Sequence, residues 1–308
     1  MTAVPAAGAH GGDGRAVAAA LGLDPGSLLD LSASLNPFAP DLRPLLGRCL
    51  EGGALGRYPD DGPARLALAR ALGVDPDRVV LTNGGAEAIA LVAAELGRGR
   101  VEDPEFSLYR RHLPQVLPDG PRFRSNPHNP TGLLAPAGEE AAVWDEAFYP
   151  LAAGVWTRGD AGTGAIVLGS LTKLLACPGL RVGYLIAPDD TLAAALARRR
   201  PAWSVNGLVA EALPALLDLV DLPGWTRQIA AARADLADLC RSHGLRPRPA
   251  DANWLLVDGA AGLRDRLAPE GVLVRDCTGF GMPATVRIAV PDTDGLDRLD
   301  RALKGAMP

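Results

Sequence analysis

The sequence has few of the residues that mark disulfide-rich, metal-binding or nucleic-acid-binding proteins. Its four cysteines and four histidines are spread over 308 residues, with no CxxC pair. Neither a disulfide framework nor the spacing of zinc ligands is visible. The net charge is −5, and the longest basic run is the arginine triplet at 198–200, which lacks the extent of a nucleic-acid-binding patch. We therefore predict no metal site and no nucleic-acid partner.

Long hydrophobic runs are also missing. The apolar stretches are far shorter than a membrane-spanning helix requires, so we predict no membrane partner. The first residues, MTAVPAAGAHGGDGR, lack the basic start and continuous apolar core of a secretory signal. We therefore expect a cytoplasmic protein.

The residues that are present favour a well-packed α/β domain. Hydrophobic residues make up 48% of the chain, enough for a full core and two unequal domains. Between about 55 and 190, short apolar runs alternate with helical segments, which is typical of a parallel sheet covered by helices. The predicted helices are Ala64–Leu72, which ends at Gly73, and 86–96; the predicted strands are 78–82, 143–144, 165–168 and 181–187.

The pattern changes after Pro201. A long helical region, 210–243, is followed by predicted strands at 254–257, 272–275 and 286–290 and a last helix near 295–303. This order indicates a second, α+β domain. We predict an N-terminal arm and part of the small domain at 1–55, a large domain at 56–195, and a C-terminal small domain at 196–308.

The segment GSLTKLLACPGLRVGY, residues 169–184, carries the strongest chemical signal. It places Ser170, Thr172 and Lys173 directly after an apolar strand, with Arg181 eight residues beyond the lysine. Ligands bind at the carboxyl ends of the strands in open α/β sheets. Burial and nearby positive charge lower the pKa of a lysine and make its amine nucleophilic. The hydroxyls and the guanidinium suit a phosphate.

Five further segments have local chemistry that is weak alone. TNGGAEAI offers free N–H groups at a helix start, which bind phosphate, and WDEAF puts Asp145 at a strand end, where it could pair with a pyridinium nitrogen. SNPHNPTG is a rigid turn. The segments are RYPDDG (57–62), TNGGAEAI (82–89), PEFSLY (104–109), SNPHNPTG (125–132) and WDEAF (144–148).

In this order, the six segments resemble fold-type I pyridoxal 5′-phosphate (PLP) enzymes of the aminotransferase class I/II family. The resemblance covers nearly the whole chain. It implies an α/β PLP-dependent transferase fold with a mainly parallel large domain and a smaller α+β domain. It also implies PLP as the cofactor.

The resemblance assigns roles to residues of this chain. Lys173 is similar to the lysine that forms the Schiff base with PLP, and Asp145 to the partner of the ring nitrogen; these two are the expected catalytic residues. Asn129 is similar to the donor to the phenolic oxygen, and Phe106 to the ring that stacks on the cofactor. Gly85, Ala86, Ser170 and Arg181, with Thr172 adjacent, resemble the phosphate site. Tyr58 resembles a tyrosine that reaches the neighbouring subunit's cofactor, which implies a homodimer. Arg287 resembles the arginine that holds the substrate carboxylate.

Two terminal regions narrow the resemblance. AHGGDGR with DLSASLNPF (30–38), and VRDCTGF (274–280) before VRIAV, resemble the L-threonine-O-3-phosphate decarboxylases of cobalamin biosynthesis. The implied reaction converts a small phosphorylated amino acid, L-threonine O-3-phosphate, to (R)-1-aminopropan-2-yl phosphate. His10, Gly11, Gly12 and Asn36 would then close over the substrate, with His10 and Asn36 at its phosphate. Histidinol-phosphate aminotransferases are similar in the core motifs, so transamination stays open as an alternative.

The chain departs from the family pattern in three ways. Phe148 stands where members commonly have tyrosine, and His128 replaces the usual asparagine of the NPxNPTG loop. The intervals from Gly84 to Asn129, Asn129 to Asp145 and Asp145 to Lys173 are only 45, 16 and 28 residues, so we expect a large domain that has lost helices or strands. These short intervals motivate a further alternative, a PLP-binding remnant without catalysis.

Overall fold

The computed structural model describes residues 4–8 and 10–306. Its α-helices are α1 (Gly14–Leu21), α2 (Arg43–Glu51), α3 (Gly62–Leu72), α4 (Gly84–Leu96), α5 (Leu108–His112), α6 (Tyr149–Ala153), α7 (Leu171–Leu174), α8 (Asp190–Arg199), α9 (Gly207–Leu217), α10 (Leu222–Ser242), α11 (Leu263–Leu267) and α12 (Thr293–Ala306). Its strands are β1 (Leu29–Asp30), β2 (Val79–Thr82), β3 (Arg98–Gly99), β4 (Gln115–Val116), β5 (Phe123–Ser125), β6 (Val143–Asp145), β7 (Ile166–Ser170), β8 (Gly183–Ile186), β9 (Arg246–Pro247), β10 (Trp254–Asp258), β11 (Val272–Leu273), β12 (Arg275–Asp276) and β13 (Thr285–Ala289). None of the helices in these ranges combines the length and the apolar character needed to cross a membrane.

A five-stranded sheet forms the centre of the large domain, in the order β2-β8-β7-β6-β5. β5, β6 and β7 pair in parallel, whereas β8 is antiparallel to both of its neighbours. Four of the five strands therefore run in one direction, which confirms the mainly parallel sheet. The carboxyl ends of β6 and β7 reach the same edge, which carries Asp145 and Ser170.

Helices cover both faces of this sheet, and the alternation of side chains along each strand explains why. Val167 belongs to the core shared with α3 and α9, whereas its neighbours Ile166 and Leu168 belong to the core shared with α4 and α8. Successive side chains of a strand point to opposite faces. A strand buried on both faces reads as the continuous apolar run IVL, and the result is a three-layer α/β/α domain.

The connections between the parallel strands are short, as the intervals in the sequence predict. Residues 126–142 join β5 to β6 without any helix, and α6, with five residues, is the only α-helix between β6 and β7. Such crossovers usually carry a full helix. Trp144 is nevertheless buried, with the guanidinium of Arg158 4.7 Å from its ring centre. A long polar side chain thus covers part of the sheet.

The second sheet is antiparallel, in the order β12-β13-β10-β9. α12 packs on it through Leu299 and Leu303, and Leu31 from the N-terminal region enters the same core. β1 pairs in parallel with β11. The domain boundaries at residues 55 and 195 remain a proposal, but the cores show that the large domain extends beyond residue 195. α9 and Trp225 of α10 share the core of the large sheet, whereas Leu236 of α10 lies in the second core.

The helical region predicted at 210–243 is two helices instead of one. α9 ends at Leu217 and α10 begins at Leu222. The Asp221 side chain accepts a hydrogen bond from the Gly224 N–H at 2.9 Å, and Pro223 occupies the first turn, where its missing N–H costs nothing. The predicted end of α3 at Gly73 is confirmed, since Gly73 has φ 69° in the left-handed region that glycine adopts readily.

Candidate active site

A cavity of about 340 Å³ lies at the carboxyl ends of β6 and β7. Residues from both domains line it, including Arg275 and Arg287 of the second sheet. It brings together most of the residues that the sequence singled out. These are His10, Gly11, Gly85, Ala86, Phe106, Asn129, Asp145, Ser170, Thr172, Lys173, Arg181 and Arg287.

Lys173 lies in α7, the short helix that begins directly after β7. Burial, together with the charges of Arg287, Arg181 and Arg275, lowers the pKa of its amine from 10.5 to about 8. Burial disfavours the charged form, and nearby cations add to the effect. An amine with this pKa is about one-tenth unprotonated at pH 7, far more than an ordinary lysine, and the unprotonated form can attack an aldehyde.

Asn36 binds the backbone of the helix that carries Lys173, and it does not line the cavity. Its backbone N–H donates to the Lys173 carbonyl oxygen at 3.0 Å, and its side-chain amide donates to the Leu174 carbonyl oxygen at 3.0 Å. Its side-chain oxygen accepts from the Phe38 N–H. The Asn36 amide is buried and engaged with the backbone, so the predicted contact of Asn36 with a substrate phosphate is not formed in this arrangement and stays a prediction.

The start of α4 and the strand end of β7 form a cradle for an anion. Gly84 has φ +77°, and a Cβ there would lie 2.5 Å from a guanidinium nitrogen of Arg181. Ser170 and Thr172 share a hydrogen bond of 2.8 Å between their hydroxyls. Arg181 itself has φ 56°, a costly conformation for a residue with a side chain. The N–H groups of a helix start, two hydroxyls and a guanidinium suit a phosphate.

Asp145, at the end of β6, faces the cavity with two hydrogen-bond donors behind it. Tyr109 donates its phenol to one carboxyl oxygen at 2.8 Å, and the Ala147 N–H donates to the other at 3.0 Å. Asp145 is half-buried, and it lines the cavity. Burial raises the pKa of this carboxyl, and the two hydrogen bonds oppose that shift. A cation facing Asp145 would stabilise its ionised form.

Asn129 and Arg287 meet across the two domains. The Arg287 guanidinium donates to the Asn129 side-chain oxygen at 2.9 Å, which leaves the amide N–H₂ of Asn129 as a donor. Arg287 is buried, and its Nε has no hydrogen-bond partner among the described residues. Burial and the charge of Arg275 lower its pKa to about 9. A buried guanidinium with a free donor favours an anionic ligand.

Aromatic side chains complete the walls. The rings of Phe106 and His10 lie 5.6 Å apart between centres. Phe148 packs edge-on against Trp254, and the Lys173 side-chain nitrogen lies 5.9 Å from its ring centre. Phe148 therefore supplies an apolar surface near the lysine and no hydrogen bond.

The N-terminal arm enters the cavity through His10 and Gly11. A Cβ on Gly11 would lie 2.1 Å from the Ser32 carbonyl oxygen, so only glycine fits this close approach. The Gly12 N–H donates to the Ser32 hydroxyl at 2.9 Å, and Gly12 does not line the cavity. In this structure Gly12 therefore fixes the arm, and its predicted contact with the substrate stays a prediction.

Tyr58 lies on the surface, away from the cavity. Its side chain is 79% exposed and its ring packs on Trp203 with 4.6 Å between centres. Tyr58 therefore has no role in the site of its own chain, and its contact with a neighbouring subunit stays a prediction.

Sequence reasoning missed several residues of the site. Tyr109 is part of the segment PEFSLY, but only Phe106 received a role. Glu105, in the same segment, is buried and accepts hydrogen bonds from Ser125 and from the Phe106 N–H. Burial raises its pKa to about 7. The sequence offered one signal for these residues: Glu105 and Tyr109 stand beside the apolar Phe106 and Leu108 in PEFSLY, which indicates that their polar groups are buried.

The donor set fits PLP. Arg181, the two hydroxyls and the start of α4 would hold the phosphate, and Phe106 would face the ring. A pyridinium nitrogen is the cation that Asp145 requires, Asn129 has a free amide donor, and Lys173 has the lowered pKa that an aldehyde requires. Among the described residues, no cluster of His, Cys, Asp or Glu could hold a metal ion.

The site and fold define a PLP-dependent enzyme, and comparison with known proteins gives its family. Residues 123–303 match the family model of aminotransferase class I and II. The chain belongs to this family, and PLP is its cofactor.

Individual relatives agree with this assignment. The chain is 32% identical to the threonine-phosphate decarboxylase of Salmonella typhimurium, covering 97% of this chain and 96% of the relative. It is 28% identical to the histidinol-phosphate aminotransferase of Granulibacter bethesdensis, covering 91% and 90%. The crystal structure of histidinol-phosphate aminotransferase from Clostridium acetobutylicum superposes with a TM-score of 0.79 at 25% identity, covering 90% and 98%.

The alignment also shows that this chain is shortened. The alignment with the Salmonella protein spans 358 positions, whereas this chain has 308 residues. At least 50 positions of the alignment therefore have no counterpart here.

Proposed function

We propose that this enzyme decarboxylates L-threonine O-3-phosphate to (R)-1-aminopropan-2-yl phosphate, as part of cobalamin biosynthesis. The observation that carries the proposal is the charge of the cavity. Lys173, Arg181, Arg275 and Arg287 line it, and among the described residues Asp145 is the only carboxylate that does. Apart from Arg181, which would meet the cofactor phosphate, the guanidiniums of Arg275 and Arg287 line the cavity. A substrate with both a carboxylate and a phosphate complements them.

The size of the cavity supports a small substrate. Its volume of about 340 Å³ has to hold both the cofactor and the reacting amine, and ligand pockets commonly reach about 300–1,000 Å³. His10 and Gly11 already line it from the arm. These features favour the short chain of threonine phosphate over a substrate that carries an additional imidazole ring.

Each residue then has a chemical task. PLP, when bound, accepts the electron pair of the bond that breaks at the substrate Cα. Arg287, held by Asn129, binds the carboxylate, and His10 with its buried Nδ1 faces the phosphate. Burial and the charges of Arg275, Arg111 and Lys173 lower the pKa of His10, so its neutral ring can donate one hydrogen bond. Lys173 returns the proton to Cα after CO₂ leaves.

Steady-state kinetics with three amines tests this proposal. We expect the PLP-loaded enzyme to release CO₂ from L-threonine O-3-phosphate, with a kcat/KM at least about 10²-fold above that for L-threonine, since two charge-assisted hydrogen bonds are lost with the phosphate. L-histidinol phosphate with 2-oxoglutarate serves as the third substrate. Equal rates with threonine and its phosphate, or no CO₂ from either, would contradict the proposal.

Transamination of the histidinol-phosphate type is the second candidate. The 28% identity over 91% of the chain to a histidinol-phosphate aminotransferase favours it, and the same residues serve if the Cα–H bond breaks instead. Glutamate formed from 2-oxoglutarate, without CO₂, would establish it. The alternative of a non-catalytic remnant loses its support, because the relatives are enzymes and Lys173 keeps its lowered pKa.

We also propose that the protein is a cytoplasmic homodimer in which Tyr58 reaches the neighbouring site. Tyr58 and Trp203, whose rings are in contact, are 79% and 60% exposed, and Leu55, three residues before Tyr58, is 76% exposed; exposed apolar patches commonly mark protein–protein contacts. Mixing Lys173→Ala with Tyr58→Ala protein tests the shared site. Regained activity in the mixture is expected, because a hybrid dimer holds one site with both residues intact. A monomeric mass in solution would contradict the proposal.

A further inference from the structure

We propose that Arg264 of α11 is a positioning residue that latches the N-terminal arm over the cavity and thereby sets the affinity for the phosphorylated substrate. The arm is defined as residues 4–8 and 10–13. The effect on substrate affinity rests on the proposed function, whereas the latch itself can be measured without any substrate. The residue lies in the small domain, and it does not line the cavity.

Arg264 holds the arm at two points on either side of the part that enters the cavity. One guanidinium nitrogen donates to the Pro5 carbonyl oxygen at 2.8 Å, and the other donates to Asp13 Oδ2 at 3.0 Å. The side chain of Arg264 is only 5% exposed, and that of Asp13 is 27% exposed. A planar guanidinium can bind two acceptors in a fixed geometry, which a lysine ammonium cannot.

His10 and Gly11, which line the cavity, lie between these two anchors. His10 brings a buried Nδ1 without a partner among the described residues to within reach of the Phe106 ring. Two further hydrogen bonds connect the arm to Ser32 and Asp30. Asp30 accepts from the Ser32 hydroxyl, and that hydroxyl accepts from the Gly12 N–H.

The latch explains why an arm of small residues is ordered at all. Glycine and alanine provide little apolar surface, and fixing each residue costs about 1–2 kcal/mol of backbone entropy. Val4 makes one apolar contact, with the small core that contains Val17 and Leu273. The Gly12–Ser32 hydrogen bond holds the arm near its middle, and the paired anchors of the buried Arg264 hold it on either side of His10 and Gly11. Releasing them should return the arm to a mobile state and withdraw His10 from the substrate.

Four variants separate the latch from general stability. Arg264→Gln removes the guanidinium that donates to the Pro5 carbonyl oxygen and to Asp13, together with its pair to the neighbouring Asp265. Arg264→Lys keeps the positive charge without the planar fork of donors. Asp13→Asn weakens the contact from the arm side, at a position exposed enough to leave the core intact. Arg266→Gln is the matched control, because Arg266 lies on the same helix, is exposed and, within the described part of the chain, donates only to the Ala261 carbonyl oxygen.

Hydrogen exchange of the PLP-loaded enzyme without substrate gives the first readout. We expect faster exchange across residues 4–8 and 10–13 in Arg264→Gln and Asp13→Asn, and no change in Arg266→Gln. Unchanged exchange in both latch variants would overturn the latch. This result does not depend on the reaction, so it stays informative even if threonine phosphate proves not to be a substrate.

Kinetics gives the second readout. We expect KM for L-threonine O-3-phosphate to rise roughly tenfold or more in Arg264→Gln, as the loss of a charge-assisted hydrogen bond implies. The PLP affinity should be unchanged and kcat should fall less than KM rises. KM of Arg264→Lys should lie between those of the unmodified enzyme and Arg264→Gln. KM of the double variant Arg264→Gln with Asp13→Asn should be no higher than that of the single variant with the higher KM, because both substitutions remove the same contact. A normal KM with a mobile arm would overturn the role in substrate affinity.

Discussion

Tyr109 donates a 2.8 Å hydrogen bond from its phenol to Asp145, the carboxylate that faces the ring nitrogen of the cofactor in our account. Tyr109 lies in α5, three residues after Phe106, and Asp145 ends β6, so the hydrogen bond joins these two elements. The ring that would stack on the cofactor and the carboxylate that would hold its nitrogen are thus fixed to each other. Tyr109 is fully buried, so this hydrogen bond is shielded from water and its loss is costly.

Tyr109→Phe should lower kcat/KM roughly tenfold, the effect of losing one hydrogen bond to a buried charged group. The hydrogen bond lowers the pKa of Asp145 against the raising effect of burial. Without it the pKa rises further, so the carboxylate becomes protonated at a higher pH as the solution is acidified. The acid limb of the pH profile of kcat/KM should move to higher pH. Tyr149→Phe, outside the cavity, is the control, and an acid limb that stays in place would refute the role.

Gly84→Ala should weaken PLP binding about tenfold or more, because a Cβ at residue 84 would lie 2.5 Å from the Arg181 guanidinium and would displace it from the phosphate site. Gly97→Ala is a close match, since both glycines flank α4 with positive φ, and a Cβ at Gly97 has nothing within 4 Å. Both variants should lose about 1 kcal/mol of stability from the strained φ. Equilibrium titration with PLP separates them, and equal affinities would show that the cradle does not bind phosphate.

The rate at which the cofactor-free enzyme captures PLP should rise with pH around a midpoint near 8, the pKa of Lys173. Only the unprotonated amine attacks an aldehyde, and burial with three neighbouring arginines disfavours its protonation. Stopped-flow absorbance at a series of pH values measures this. A midpoint near 10.5, the ordinary value for lysine, would mean that the amine is exposed to water.

Protein chemistry can locate the cofactor without ambiguity, because Lys173 and Lys304 are the only lysines of the chain. Borohydride reduction of the PLP-loaded enzyme, followed by peptide mapping, should place the label on Lys173. Lys173→Ala should lose the label and the visible absorbance of bound PLP, with activity lower by at least about 10²–10⁴-fold. Lys304→Ala should keep both, since Lys304 is exposed and pairs with Asp300. Label on Lys304 in the unmodified enzyme would contradict the assignment.

The sequence predicted the fold class and most of the cavity because strand ends and glycine turns are local signals. Lys173 and Asp145 each follow an apolar run, and parallel strands bring such positions to one edge. The reversed direction of β8 was not predictable in this way, because apolar runs do not encode strand direction. The break between α9 and α10 depends on Asp221 and Pro223. The apolar pattern on both sides is helical, so it predicted one continuous helix.

Contacts between distant parts of the chain were the ones that sequence reasoning missed. Asn36 reaches residues 173 and 174 far along the chain, and its motif alone suggested a substrate contact. Arg264 reaches back to Pro5 and Asp13, and it looks like an ordinary helix arginine in the sequence. Tyr109 and Asp145 are 36 residues apart. Only packing selects among the many polar groups that could pair at such separations.

The fate of one carbon atom tests the central claim most directly. L-threonine O-3-phosphate labelled at its carboxyl carbon would be incubated with the PLP-loaded enzyme in the presence of 2-oxoglutarate. The account predicts that the label leaves as CO₂ and that (R)-1-aminopropan-2-yl phosphate accumulates without glutamate. Label retained in a 2-oxo acid, with an equal amount of glutamate, would contradict decarboxylation and establish transamination instead.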